Sequence, residues 1–200
     1  MRTEAEPIPR MRAEDRRELV LEAATGVFGE FGYFGATTDQ IAKAAGVSQP
    51  YVVRMFGTKE QLFLDVLQRA LDRLLETFRG VLAQGAGEDL GLRMGTAYVE
   101  LLTDRGLLLS LMHGFAMGSD PVIGAVTRDG FLQVYKFLRE EAGFTPEQVR
   151  MFIANGMLVN TLVGLRMSDE YDTNPLAKEC LCVALPEKLE LVLALRESQR

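Results

Sequence analysis

Residues Thr37 to Phe63 read TTDQIAKAAGVSQPYVVRMFGTKEQLF and crowd several helix start and stop signals into one short stretch. Thr37 opens a T-x-x-Q pattern with Gln40, a capping box that satisfies two orphan N–H groups at a helix start. The helix it starts carries Ile41, Ala42 and Ala45, and Gly46 stops it after about two turns. Ser48 is placed to cap a second short helix, with Pro50 in the first turn, where a missing N–H costs little. Gly57 ends that helix, and Thr58-x-x-Gln61 opens the next with a second capping box. Two short helices joined by AGVS and followed at once by a third make a helix-turn-helix. Ala45 and Gly46 let the two helices approach, and Val47 fills the angle between them.

Such a corner has a use if the second short helix must protrude. A B-DNA major groove is about 12 Å wide and admits one helix. The capped N-termini at Thr37 and Thr58 present free N–H groups and the positive end of a helix dipole, which favour phosphates. Lys59 stands in the first turn of the third helix, where a cation opposes the dipole. On stability alone it is out of place, and a phosphate would account for it.

Outward from this corner the chain is helical throughout. Leu19, Val20, Ala23, Ala24, Val27, Phe28 and Phe31 recur at spacings of three and four, and Gly32 and Gly35 close that helix. Leu62 to Phe78 carry one long apolar stripe, broken at GVLAQGAGEDLG. Helices follow over about Asp89–Thr103, through GLLLSLMHGFAMG, and from the SDP at 119–121 to EEAGFTPE. Pro146 opens another that reaches about Met167, and Pro186 divides the final segment in two. There is no period-2 strand pattern and no internal repeat. The spacing predicts an all-α fold of about nine to ten helices: a flexible arm over 1–11, a helix-turn-helix unit over 12–57, and a larger helical body over 58–200.

Composition narrows the function classes. The 200 residues are 48% apolar, enough for a sizeable core. The net charge of −6 argues at first against a nucleic-acid partner. It is unevenly placed, however: residues 1–59 hold 8 basic and 8 acidic side chains, and residues 60–200 hold 14 and 20. A neutral front and an acidic back would orient the molecule beside a polyanion. Cys180 and Cys182 are too few for a disulfide framework and do not resemble a zinc site. On opposite sides of a helix, they are expected to be buried small hydrophobes, with a thiol redox switch between subunits as the alternative. The N-terminal segment has no apolar core of a signal peptide, and no apolar run approaches a membrane span, so the expected setting is the cytoplasm without a membrane partner. One isolated His113, no G-x-S-x-G and no Gly-rich phosphate loop speak against an enzyme. No cofactor or metal is implied.

The corner resembles the DNA-binding region of the TetR family of transcriptional regulators. The family pattern, roughly T-x-x-x-I-A-x-x-A-G-V-S followed by a recognition helix and F-x-x-K-x-x-L, is met by Thr37, Ile41, Ala42, Ala45, Gly46, Val47 and Ser48. Phe56, Lys59 and Leu62 complete it. LEAATGVFGEFGYFGAT is similar to the family's first helix, and the resemblance spans about residues 12–63. It implies that Thr37, Thr38, Gln49, Pro50, Tyr51, Val52, Arg54 and Lys59 face DNA. Lys59, Thr37 and Tyr51 would take phosphates, and Gln49, Val52 and Arg54 base edges or their neighbours. Two departures stand out: Pro50 where the family usually has Gly, and Val53 where it usually has a phosphate-binding Tyr. Tyr51 is expected to compensate from two positions earlier.

For residues 60–200 the resemblance implies an effector-binding and dimerisation body. The apolar helix from Pro146 and a C-terminal helix would form a two-fold interface. Met94, Tyr98, Met112, His113, Phe115, Met117, Phe131, Tyr135, Asn155 and Asn160 are the candidate lining of a pocket for a small, largely apolar effector. The competing reading of each is plain core, with His113 as a satisfied core or interface residue, and the two asparagines are equally read as contacts across a dimer seam. The implied function is a ligand-responsive homodimeric repressor of a near-palindromic double-stranded operator. The alternative is a helical protein-interaction module that has lost specific DNA binding, with Pro50 and Val53 as the marks of that loss.

Overall fold

The computed structural model describes residues 12–198, so the predicted arm over 1–11 lies outside the described residues. Ten α-helices follow one another: α1 (Ala13–Gly35), α2 (Thr38–Ala44), α3 (Gln49–Phe56), α4 (Lys59–Ala83), α5 (Leu90–Leu101), α6 (Arg105–Ala116), α7 (Ile123–Lys136), α8 (Pro146–Gly164), α9 (Pro175–Ala184) and α10 (Leu189–Ser198). A π-helical turn, Phe137–Glu141, follows α7, and a 3-10 turn, Met167–Glu170, follows α8. No strand occurs among the described residues, and the fold is all-α.

Three apolar clusters make the core. The first joins α1, α2, α3 and the start of α4 through Val20, Phe28, Ile41, Val52, Phe56 and Phe63. The second gathers Leu71, Leu75 and Phe78 of α4 with Met94, Phe137, Leu138 and Val149. The third collects Val99, Leu108, Val159, Leu162, Leu181 and Val192. The long stripe of α4 therefore serves two cores in succession: Leu62–Leu67 face the first and Leu71–Val81 the second. One unbroken helix thus packs against both the helix-turn-helix and the body behind it.

A second connection was not evident in the sequence. α6 crosses α1 so closely that a Cβ on Gly29 would lie 2.8 Å from the Gly106 Cα, and one on Gly106 would lie 3.0 Å from the Thr25 carbonyl oxygen. The Ser110 hydroxyl donates to the same Thr25 carbonyl at 3.3 Å. Gly32, at φ +67°, kinks α1, and the imidazole of His113 packs against it. The predicted stop at Gly32 is thus a bend, after which α1 continues to Gly35.

Candidate nucleic-acid interface and effector cavity

α3 is held by two side chains and offers the rest. Val52 is 0% exposed and Phe56, one turn later, is buried, whereas Val53 is 40% exposed. The base-edge role expected for Val52 is therefore wrong, because its side chain is an anchor in the first core. The resemblance fixed the helix but not its rotation. Gln49, Pro50 and Arg54 are exposed and Tyr51 is half-buried. Gln49 Nε2 donates to the Thr38 hydroxyl at 3.2 Å, tying the first turns of α2 and α3 together. The Arg54 guanidinium lies 5.1 Å from the centre of the Tyr51 ring. A cation over an aromatic face is a modest attraction that holds both side chains in place.

The caps differ from their sequence signatures in instructive ways. Thr37 forms the full capping box: its hydroxyl accepts from Gln40 N at 3.2 Å, and its own N–H donates to Gln40 Oε1 at 2.8 Å. Ser48 occupies the cap position of α3, but its side chain makes no capping hydrogen bond. Thr58 accepts from Gln61 N at 3.0 Å, while the Gln61 amide turns away to Asp65 Oδ1, so the second box is only half built.

Lys59 has a structural explanation that the sequence concealed. Its ammonium donates to the carbonyls of Tyr33 at 2.9 Å and Ala36 at 3.1 Å, and lies 4.7 Å from the Tyr33 ring centre. A cation is misplaced at the start of its own helix but well placed at the end of another. Lys59 clasps the last carbonyls of α1, and the oddity of its position is met without a phosphate. Arg17, which sequence analysis did not single out, performs a related task. It pairs with Asp65 at 2.6 Å and lies 4.5 Å from the centre of the Phe56 ring, so one side chain braces α1, α3 and α4.

Behind this front lies a cavity of about 500 Å³, lined by α4 through Leu67, Leu71 and Phe78 and by residues of α5, α6, α7 and α8. Of the predicted lining, Tyr98, Phe115, Phe131, Asn155 and Asn160 are there. Phe115 and Phe131 meet edge to face, with centres 6.3 Å apart. Tyr98 Oη donates to Asn160 Oδ1 at 2.6 Å. Burial pushes the Tyr98 phenol up to about 12, against a smaller opposite effect of that hydrogen bond.

Other predicted positions lie elsewhere. Met94 is fully buried in the second core, Met112 packs on the third and Met117 on the first. His113 faces α1, and Tyr135 is 43% exposed and outside the lining. Helical spacing cannot say which apolar face borders a void. The α4 lining was visible only as core stripe, and Lys188 of the lining gave no sequence signal at all.

A further apolar surface lies on the outside. Met151, which also borders the cavity, Leu158 and Leu165 stand exposed seven residues apart on and just after α8, and Leu176 and Val183 are 75% and 76% exposed on α9. Cys180 and Cys182 are also exposed, which corrects the expectation of burial. No group of side chains suited to a metal ion occurs among the described residues. No helix among them is long and apolar enough to cross a membrane.

Residues 20–66 match the family model of bacterial regulatory proteins, tetR family. The HTH-type transcriptional activator FasR of Mycolicibacterium smegmatis is 42% identical over 73 residues, 36% of this chain and 33% of the relative. The HTH-type transcriptional repressor AcnR of Corynebacterium efficiens is 39% identical over 61 residues, 30% of this chain and 32% of the relative. The matched segment thus spans about one third of the length of these curated relatives. A TetR-like transcriptional regulator from Rhodococcus sp. RHA1 shares the fold with a TM-score of 0.60 at 21% identity, covering 94% of this chain and 95% of that one. The corner from which the fold was read, within residues 20–66, thus matches the bacterial regulatory proteins of the tetR family, and the chain as a whole shares the fold of a TetR-like regulator.

Proposed function

We propose that the chain is a homodimeric transcriptional regulator of the cytoplasm that binds a near-palindromic operator and answers to a small, largely apolar effector. The observation that carries this reading is the face of α3. Val52 and Phe56 anchor the helix while Gln49, Pro50, Tyr51 and Arg54 are left at its outer side. Gln49 and Arg54 are suited to base edges, and Thr37, Thr38 and Tyr51 to phosphates. Lys59 supports this surface by holding the end of α1.

Dimerisation is needed because one short helix binds weakly, whereas two recognition helices about 34–36 Å apart read successive turns of one DNA face. The exposed stripe of α8 and α9 is the surface proposed for the two-fold contact, since large apolar side chains in such a row are otherwise costly in water. The cavity suits the effector, at the size of an ordinary small-molecule site. Its lining shares α4 and α6 with the DNA-binding front, through the rod of α4 and the glycine crossing on α1. A ligand that favours one arrangement of these helices changes the spacing of the recognition helices. Moving the population from 99% to 1% DNA-competent takes about 5.5 kcal/mol of differential binding. We propose repression as the mode.

Selection from a randomised duplex pool tests the reading. The expected product is a near-palindrome with half-sites about one helical turn apart. Weak, unselected binding that vanishes with modest salt would refute it and favour an interaction module instead.

A further inference from the structure

We propose that the cavity takes an amphiphile with a single anionic head, a carboxylate on an apolar body, and that Lys188 binds the head. This rests on the effector reading above and names the ligand class for that cavity. Lys188 lies just before α10 and lines the void. Its ammonium is laid against α5 at a point where the wall has no side chain: a Cβ on Gly95 would fall 2.5 Å from Lys188 Nζ and 2.9 Å from its Cε. Gly95 is itself buried, and Lys188 is half-buried.

What sets this cation apart is its lack of a partner. Arginines of α4 and α5 are matched: Arg73 with Asp104, Arg79 with Glu141 and Arg93 with Asp89. Among the described residues Lys188 has no ion pair and no side-chain hydrogen bond, and no other basic side chain stands in the lining. The carboxylates of Glu88, Asp129 and Glu187 also border the cavity, yet none pairs with it. An ammonium laid against a mainly apolar wall, with no carboxylate paired to it, gains a charge-assisted contact when an anion enters the cavity.

The character of the head follows from the donors present. One ammonium is a point charge without the fork of donors that arginine brings to a phosphate, so a singly charged carboxylate fits. A second polar point lies one turn further along α5. Asn160 accepts from Tyr98, while its own amide meets only the Met157 sulfur at 3.9 Å, a weak acceptor. That N–H remains available to an oxygen of the ligand. The rest of the lining, Leu71, Phe78, Phe131 and Phe152 among it, takes the apolar body.

Calorimetry with decanoate, decanol and decylamine on the whole 200-residue chain separates head from body, with circular dichroism confirming that each variant is folded. Decanoate is expected to bind at least about tenfold tighter than decanol. Lys188→Gln is expected to abolish that advantage and leave decanol unchanged, and Lys188→Glu to turn the preference toward decylamine. Equal binding of acid and alcohol, or an acid preference that survives Lys188→Gln, overturns the assignment while leaving the apolar effector cavity in place. If none of the three probes binds, the assignment is overturned.

Discussion

The helix-turn-helix and the helical body behind it are both built from apolar helices, but they are specified differently. In the front, structure is written in short-range signals: a capping box at Thr37, a stop at Gly46 and a proline at Pro50, all within one corner. In the body, the decisive features join residues far apart in sequence. The α1–α6 crossing brings Gly29 to Gly106, and the polar point of the cavity brings Tyr98 to Asn160. Local signals fix where helices begin and end; long-range packing fixes which face looks into a void. A functional surface made of the first kind is legible early, and one made of the second kind emerges only in three dimensions.

The comparison can be broken most sharply at adjacent residues of α3. Val52→Asp buries an uncompensated carboxylate in the first core and is expected to cost about 3–5 kcal/mol, comparable to breaking a buried ion pair. Val53→Asp, on the exposed side, should change stability by no more than about 0.5 kcal/mol. Urea unfolding of both variants checks this, and equal losses would mean that α3 is rotated from the orientation described.

The body has its own probe in Tyr98. Its phenol is raised from 10.0 to about 12 by burial, so the unfolded chain ionises first as pH rises. The associated stability is complete below pH 10 and is lost as pH climbs from 10 through about 12. At the conversion of one pKa unit to 1.36 kcal/mol, the loss is about 2–3 kcal/mol. Tyr98→Phe should lose this alkaline step and keep the remainder of the profile. An unchanged pH profile in that variant would contradict the buried site.

Between the two regions stands Lys59, and its variant tells which it serves. Lys59→Met removes two hydrogen bonds to the end of α1 and should cost about 1–2 kcal/mol in denaturant unfolding. Operator binding should weaken as a consequence, evenly across sequences. Unaltered stability together with a salt slope reduced by about 1 would instead restore Lys59 to a direct phosphate contact.

How much the sequence disclosed follows the same division. The all-α class and the helix-turn-helix were legible because caps, glycines and 3.6-residue periodicity act within a few residues. Helix ends in the body were read to within a few positions, as with α8, read to about Met167 and ending at Gly164. Val52 was misassigned because a short helix with apolar residues at 52 and 53 leaves its rotation open until Phe56 and the core of α1 are placed. The structural role of Lys59 was hidden because the carbonyls it caps come from another helix, 23 and 26 residues away. Lys188 was invisible because its meaning depends on a gap above Gly95, 93 positions earlier.

Base preference of Gln49→Ala on the selected operator tests the central claim most directly, because it asks whether the start of α3 reads sequence. The expected result is a change of about 1–3 kcal/mol in discrimination at one base pair, with nonspecific affinity and its salt slope unaltered. A uniform weakening at every position, or no effect at all, would contradict the assignment of α3 as the reading helix.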